Sequence, residues 1–247
     1  MTNKGKLIVI EGLDGTGKAT QVKMLIDYLV IIKKMHYGKN VIAVDFPRYD
    51  KPSSDMVKNY LSGKFGTDPN AINPYVASSF YAVDRAISFQ TEEWGEVYRN
   101  GGIVIADRYT ISNIIHQGAK LVKEHPNSAD YCINEFVKWI NEYEYSYMGI
   151  PEPTLVITLK MDKEVNEKLI KERQENAVEG DIHEANFEYL DNCRTALNYY
   201  LEADTVVNGY IPHVSVKTND NNGKIYTRGE ISDTITSIVD SIMEWDN

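Results

Sequence analysis

The first residues with types and spacing suited to phosphate chemistry form the stretch EGLDGTGKAT at residues 11–20. Gly12, Gly17 and Lys18 match the pattern G-x-x-x-x-G-K-[ST], in which glycines let backbone N–H groups turn toward phosphate oxygens and the lysine adds a cation. The last position, normally a hydroxyl that helps to hold magnesium, is Ala19. Because the stretch lies between an apolar run and a helical pattern, a nucleotide-binding loop is favoured over an ordinary glycine-rich turn.

Three arginines and one aspartate are further candidates for binding phosphate groups and the magnesium ion that accompanies them. Arg48 occurs in DFPR, Arg85 in YAVDRA and Arg108 in DRY. Transfer between two phosphorylated molecules requires positive charge around donor, acceptor and migrating group, and the guanidinium fork fits phosphate oxygens. Each arginine taken alone is more often a surface charge or a structural ion pair, and the phosphate loop shifts the balance toward phosphate binding. Asp107 ends an apolar run, where P-loop enzymes place a carboxylate for magnesium; a buried structural aspartate is the alternative.

Five apolar runs of strand length predict the sheet that positions these motifs. They are Leu7 to Ile10, Val41 to Val44, Ile103 to Ala106, Leu155 to Leu159 and, more weakly, His213 to Val216. Their continuous apolar character predicts strands buried on both faces, and the segments between them are long enough for helices. We therefore predict one domain over residues 1–247, a three-layer α/β/α fold with a five-stranded parallel sheet. Ligands in such folds bind beyond the carboxyl ends of the strands.

Composition narrows the classes of partner and compartment. A formal net charge of −10 over 247 residues disfavours nucleic acid and anionic membranes as partners, while small anions can still bind where a few arginines converge. The N-terminal residues lack the apolar stretch of a signal peptide, and no run is long enough to cross a bilayer. Two cysteines, Cys132 and Cys193, are too few for a disulfide framework. We expect a cytoplasmic protein with free thiols.

Three further segments have open interpretations. The polar stretch at residues 173–189 lies between helical patterns and is compatible with a mobile lid, at about 173–187, or with a surface loop. The aromatic segment NEFVKWINEYEYSY, residues 134–147, predicts a helix whose rings belong to the core or to a subunit contact. Near the C-terminus, TNDNNGKIYTRG is typical of a surface turn or hairpin.

Taken in order, these stretches resemble the thymidylate kinase family of P-loop nucleoside monophosphate kinases. IEGLDGTGKATQ is similar to the family's EGxDGxGKSTQ loop, DFPR to its FPR motif and FYAVDRA to its FAADRA helix. DRYTISNIIHQGAK is similar to DRYxxSxxAYQGA, and PEPTLVITLKMD to the family's PDLTxxLDV strand. The resemblance covers about residues 6–200. It implies transfer of the γ-phosphoryl group of ATP to dTMP, giving dTDP and ADP, with Mg²⁺ as cofactor and a homodimer as the assembly.

The resemblance also implies roles for individual residues. The ATP-binding set is Gly12, Asp14, Gly15, Thr16, Gly17, Lys18, Ala19 and Thr20. The dTMP-binding set is Asp14, Phe46, Pro47, Arg48, Tyr81, Arg85, Arg108, Ser112, Asn113, His116 and Gln117. Within it, Tyr81 is expected to stack on thymine, and Arg85 and Asn113 to hydrogen-bond the base. The catalytic set is Lys18, Asp107, Arg108 and Arg173, with Asp107 also serving the metal.

Departures from the family's motifs leave alternatives open. Ala19 replaces a hydroxyl, and His116 stands where the family often has a tyrosine that helps to reject ribose. Arg173 is followed by an acidic stretch, so it is either a charge-stabilising lid arginine or a surface residue. A kinase for another nucleoside monophosphate, such as dUMP, is the alternative function. A nucleotide-dependent switch is less favoured, because no Asn-Lys-x-Asp segment for guanine is present.

Overall fold

The protein forms a five-stranded parallel sheet between helical layers. The computed structural model describes residues 4–66, 68, 71–175, 187–203 and 211–243. The strands are β1 (Lys6–Gly12), β2 (Val41–Asp45), β3 (Ile103–Asp107), β4 (Leu155–Lys160) and β5 (His213–Lys217), and their order across the sheet is β2-β3-β1-β4-β5. All neighbouring strands pair in parallel. The predicted fold class is confirmed, and each apolar run lies within one strand.

Nine α-helices occur among the described residues. They are α1 (Lys18–Ile31), α2 (Asp55–Leu61), α3 (Pro74–Thr91), α4 (Glu93–Arg99), α5 (Thr110–Glu124), α6 (Ala129–Ile140), α7 (Lys163–Glu175), α8 (Phe187–Glu202) and α9 (Arg228–Ile242). None of these described helices is both long and apolar enough to span a bilayer.

The two faces of the sheet build two separate cores. Leu7 and Val9 of β1 pack in one cluster with apolar residues of α4, α5, α6 and α8, whereas Ile8 and Ile10 pack in the other with residues of α1 and α9. Side chains alternate across a strand, so a run that is apolar at every position supplies both clusters. This is the physical reason why the strands were visible in the sequence.

Strand register brings the motifs to one end of the sheet. In the parallel ladders, Ile10 of β1 pairs with Asp107 of β3, and Asp45 of β2 pairs with the same Asp107. The central strand β1 lies between β3 and β4, so the loop after it opens at the point where the strand order diverges. Crevices at such points are the usual ligand sites of open α/β sheets.

The aromatic segment changes its helical geometry part of the way along. The α-helical turns of α6 end at Ile140, and Asn141–Tyr147 continues as a π-helix. Phe136, Trp139 and Tyr143 form a stacked series, and Phe136 is fully buried, so these rings contribute to the core.

The C-terminal turn and the two cysteines can be compared with the sequence predictions, whereas most of the predicted lid cannot. The C-terminal turn contains an antiparallel bridge between Asn219 and Ile225, and Cys132 and Cys193 are free. The predicted lid at 173–187 lies mostly outside the described residues, as does the side chain of Arg173.

Candidate active site

The loop between β1 and α1 has the backbone conformation that its glycines permit. Gly17 precedes the first residue of α1 with φ of 93°, in the left-handed region that side chains disfavour. A Cβ at Gly12 would lie 2.6 Å from the backbone oxygen of Leu159, so β4 approaches too closely for any other residue. The loop therefore directs backbone N–H groups and the start of α1 toward one space.

Lys18 is held against this loop. Its Nζ donates to the carbonyl oxygens of Gly12 at 2.9 Å and Leu13 at 3.0 Å, and lies 3.7 Å from Asp14 Oδ1. Burial, reinforced by the nearby Arg108 cation, lowers the pKa of Lys18 to about 8, although the carboxylates of Asp14, Asp107 and Glu11 oppose the shift. A phosphate ligand would supply the negative charge that favours the ammonium form.

Arg108 connects the loop to α5. Its backbone lies in the left-handed region with φ of 66°, and its guanidinium forms an ion pair with Asp14. Burial alone would raise the pKa of Asp14, but Arg108, Lys18 and His116 outweigh it and hold that pKa well below its usual value. Strained non-glycine conformations cluster at functional sites, where the surrounding contacts enforce them.

The imidazole of His116 lies between Arg108 and Tyr189. Arg108 Nη1 lies 3.3 Å from His116 Nε2, and His116 Nδ1 lies 3.0 Å from the hydroxyl of Tyr189. A chain of contacts thus runs from Asp14 to Tyr189 on α8.

Glu11 is a buried carboxylate that the sequence analysis did not select. Its Oε1 accepts hydrogen bonds from the backbone N–H groups of Tyr109 at 2.6 Å and Ser112 at 3.1 Å, and the Ser112 hydroxyl donates to both carboxylate oxygens. Burial raises the pKa of Glu11 despite the opposing Arg108 cation. The contacts fix the start of α5, and with it the DRY segment, against the end of β1. A charged residue at the end of an apolar strand was the available signal.

One cavity, which we call the acceptor cavity, has a volume of about 270 Å³ and adjoins Arg108. It is lined by ten of the eleven residues in the predicted dTMP set, all except Arg48. The other lining residues are Tyr49, Leu61, Tyr109 and Tyr189. Its walls thus combine aromatic rings with arginine, amide and hydroxyl groups, which is the mixture expected of a binding site for a nucleoside monophosphate.

A second cavity, the loop cavity, has a volume of about 330 Å³ and opens over the glycine loop. The cavity is lined by residues that the sequence assigned to ATP binding or catalysis: Asp14, Gly15, Gly17, Lys18, Ala19, Thr20, Asp107 and Arg108. Gly12 and Thr16, also predicted, support the loop from below: Gly12 accepts from Lys18, and the Thr16 hydroxyl donates to the Leu13 carbonyl at 2.8 Å. The two cavities share the walls Asp14, Phe46, Pro47, Tyr49 and Arg108.

Arg48 does not reach either of these cavities. Its guanidinium donates to Glu92 Oε2 at 2.7 and 3.0 Å and to Asp45 Oδ1 at 2.7 Å, and it lines a different surface depression beside Trp94. Two carboxylates compete for the side chain that the sequence assigned to the acceptor's phosphate. The Arg48 backbone N–H instead donates to Asp84 Oδ2 at 2.8 Å, which fixes the segment that follows Phe46 and Pro47.

The residues predicted to bind the base are brought together with a carboxylate that the sequence analysis missed. Arg85 and Asn113 line the acceptor cavity with Tyr81, and both donate to Glu144 on the π-helix. On the other side of the site, Asn166 of α7 donates to the Asp14 carbonyl at 2.8 Å. The helix that leads into the predicted lid is therefore anchored to the glycine loop.

Comparisons of sequence and fold identify the family of the chain. The family model described as thymidylate kinase matches residues 10–209. A thymidylate kinase from Mycobacterium tuberculosis is 30% identical over 160 residues, covering 64% of this chain and 67% of that protein. A probable thymidylate kinase from Pyrobaculum aerophilum is 30% identical over 194 residues, 78% of this chain and 80% of its own length.

A solved thymidylate kinase from Candida albicans matches the fold with a TM-score of 0.64 and 21% identity, covering 96% of this chain and 92% of that one. With the family model spanning most of the sequence and the loop, cavities and strand order in place, this chain belongs to the thymidylate kinase family.

Proposed function

We propose that the protein transfers the γ-phosphoryl group of ATP to dTMP, giving dTDP and ADP. The observation that supports this most directly is the common wall of the two cavities, formed in part by Asp14 and Arg108. A phosphoryl donor over the glycine loop and an acceptor beside Tyr81 would meet at this wall. Family membership supplies the identity of the two substrates.

The reaction forms a bond between a phosphate oxygen of dTMP and the γ-phosphorus of ATP, and breaks the bond from that phosphorus to the β–γ bridging oxygen. Because the attacking oxygen is already anionic, no strong general base is required. The protein's contribution is to align the two phosphates and to neutralise their charge. Arg108 supplies a cation at the common wall, and Lys18 supplies another in the adjoining loop cavity, 3.7 Å from Asp14 Oδ1.

Asp107 has the properties expected of a residue that serves magnesium. Its Oδ1 is buried and has no hydrogen-bond partner among the described residues, and the residue lines the loop cavity. Burial raises its pKa, while Lys18 and Arg108 oppose the shift. Bound Mg²⁺ would neutralise charge on the donor's phosphates.

No group of three His, Cys, Asp or Glu side chains suited to a metal occurs in the described part of the chain. We therefore assign Asp107 to the ion, directly or through water, with the nucleotide's phosphates as the other ligands. Thr20 is assigned to an α-phosphate oxygen. Arg173 remains our predicted lid arginine.

Asp107→Asn is expected to reduce kcat by roughly 10²-fold or more, because an amide does not supply the negative charge that holds the ion. Magnesium should raise the affinity of the wild type for a non-hydrolysable ATP analogue, as measured by calorimetry. This gain in affinity should be absent from Asp107→Asn. Ala19→Ser is the matched loop variant, and it should leave acceptor choice unchanged and at most tighten the magnesium dependence. Asp107→Asn with wild-type magnesium curves in both assays would contradict the assignment.

An acceptor panel tests the proposed function. ADP formation is measured with ATP and magnesium against dTMP, dUMP, dCMP, AMP, CMP, the ribose form of TMP and water. We expect dTMP to have the highest kcat/KM. Equal rates with dTMP, AMP, CMP and water would exclude a thymidylate kinase activity. The ribose form measures whether His116 rejects a 2′-hydroxyl.

We infer that the protein is a homodimer that pairs through α3. Val76, Phe80, Val83 and Ile87 recur at helical spacing along this helix, and Val76, Val83 and Ile87 are 49%, 38% and 44% exposed. A continuous apolar stripe on an 18-residue helix is suited to a second copy of itself across a two-fold axis. In the segment 131–147, by contrast, Phe136 and Ile140 are buried within the subunit.

Val83→Glu is expected to shift the dimer to a monomer in sedimentation or light-scattering measurements, because a carboxylate in an apolar interface loses its hydration. Tyr131→Glu is the control, since Tyr131 is 65% exposed on α6. Dissociation by Tyr131→Glu but not by Val83→Glu would move the interface to the aromatic segment. A wild-type monomer at micromolar concentration would refute both surfaces.

A further inference from the structure

The π-helix places one carboxylate beneath the floor of the acceptor cavity. Glu144 is the buried residue of Asn141–Tyr147, with a side chain only 1% exposed. Its Oε2 accepts from Arg85 Nε and its Oε1 from Arg85 Nη2, both at 2.7 Å, and Oε1 also accepts from Asn113 Nδ2 at 3.1 Å. Single π-helical turns are rare and frequently occur at functional sites.

The partners of Asn113 determine which way its amide points. The two hydrogens on Nδ2 are donated to Glu144 Oε1 and, at 3.3 Å, to the backbone carbonyl of Ser78. Carboxylate and carbonyl oxygens only accept hydrogen bonds, so the amide nitrogen must lie on this side. Oδ1 is consequently the Asn113 atom left to act as an acceptor toward a ligand in the cavity that this residue lines.

The same carboxylate orients the guanidinium of Arg85. Its paired contact uses Nε and Nη2 and leaves Nη1, which has one weak contact with the Tyr109 carbonyl at 3.4 Å. Nη1 carries two hydrogens, so it can donate to a ligand as well. Because Glu144 and Arg85 are both buried, the pair holds one geometry rather than exchanging partners with water.

Of these two residues, Asn113 therefore offers an acceptor to the cavity through Oδ1, and Arg85 offers a donor through Nη1. A thymine or uracil ring presents the complement, an N3–H donor beside the O4 acceptor, whereas cytosine presents an N3 acceptor beside an amino donor. We propose that Glu144 is a positioning residue that sets base specificity, by fixing the donor and acceptor polarity of Asn113 and Arg85. The inference rests on the proposed function, since it concerns how the acceptor's base is chosen.

Glu144→Gln tests this polarity with little change in size. A glutamine amide can donate to Asn113, so only the longer contact with the Ser78 carbonyl, at 3.3 Å, still favours the native amide orientation, and Arg85 is no longer held by charge. We expect the ratio of kcat/KM for dTMP over dCMP to fall by roughly tenfold or more. The KM for dTMP should rise by about tenfold while its kcat and the KM for ATP change by less than about threefold. Glu142→Gln, an exposed carboxylate on the same π-helix, is the control and should match the wild type.

Two further variants keep the test decisive if Glu144→Gln folds poorly. Glu144→Asp retains the charge and should restore part of the dTMP preference. The double variant Arg85→Gln/Glu144→Gln removes both buried charges, so it should fold and still lose the preference. A folded Glu144→Gln or double variant with a wild-type ratio of dTMP to dCMP would overturn the inference, even if its total activity falls. A wild type without preference for dTMP would instead refute the proposed function itself.

Discussion

Arg108→Gln is expected to lower kcat/KM for dTMP by roughly 10²- to 10³-fold. Arg108 lines both cavities and supplies positive charge where the two phosphates would meet. Its ion pair with Asp14 and its contact with His116 hold the guanidinium at the common wall. Removing it deletes a cation and leaves the partly buried Asp14 carboxylate, which repels phosphate, without its closest partner.

Steady-state kinetics with varied dTMP and varied ATP measure this loss, and a thermal melt establishes that the variant is folded. Arg99→Gln is the matched control, because Arg99 is exposed on α4 and lines neither cavity. Arg108→Lys keeps the charge but not the planar fork, so we expect an intermediate loss. A folded Arg108→Gln enzyme within threefold of the wild type would remove Arg108 from the mechanism.

Lys18→Met is expected to lower kcat by roughly 10²- to 10³-fold, since the ammonium is the cation closest to the glycine loop. Its hydrogen bonds to the Gly12 and Leu13 carbonyls hold it against the loop. Lys23→Met, on the exposed side of α1, is the control. A Lys18→Met enzyme with unaltered kcat would show that the loop amides suffice.

The lowered pKa of Lys18 adds a pH signature to this prediction. With a pKa of about 8 in the free protein, Lys18 loses its charge as the pH rises above that value. Bound phosphate favours the charged form, so nucleotide affinity should weaken above pH 8, by at most about tenfold per pH unit. Calorimetry with a non-hydrolysable ATP analogue from pH 6.5 to 9.5 measures the slope. Lys18→Met should lack it, and parallel slopes in both proteins would assign the titration to another group.

Local sequence determined the sheet, the phosphate loop and most of the acceptor cavity. Strands buried on both faces must be apolar at every position, and Gly12 and Gly17 are required by close approach or by backbone conformation. Such constraints act within a few residues and leave a direct pattern in the chain. The motifs around Tyr81, Arg108 and Asn113 follow or flank these elements, so the sheet's topology carries them to one edge.

Only the tertiary structure decided which charged groups meet. Glu144 lies 59 residues from Arg85, and Glu11 lies 98 residues from Tyr109. In the sequence, neither of these carboxylates can be told from a residue on the surface. Its burial depends on distant partners, which compensate the carboxylate for its lost hydration. The same reason explains Arg48, whose motif resembled a phosphate ligand while Glu92, 44 residues away, holds its guanidinium. Sequence alone therefore located the site, and long-range ion pairing decided how its polar groups are aimed.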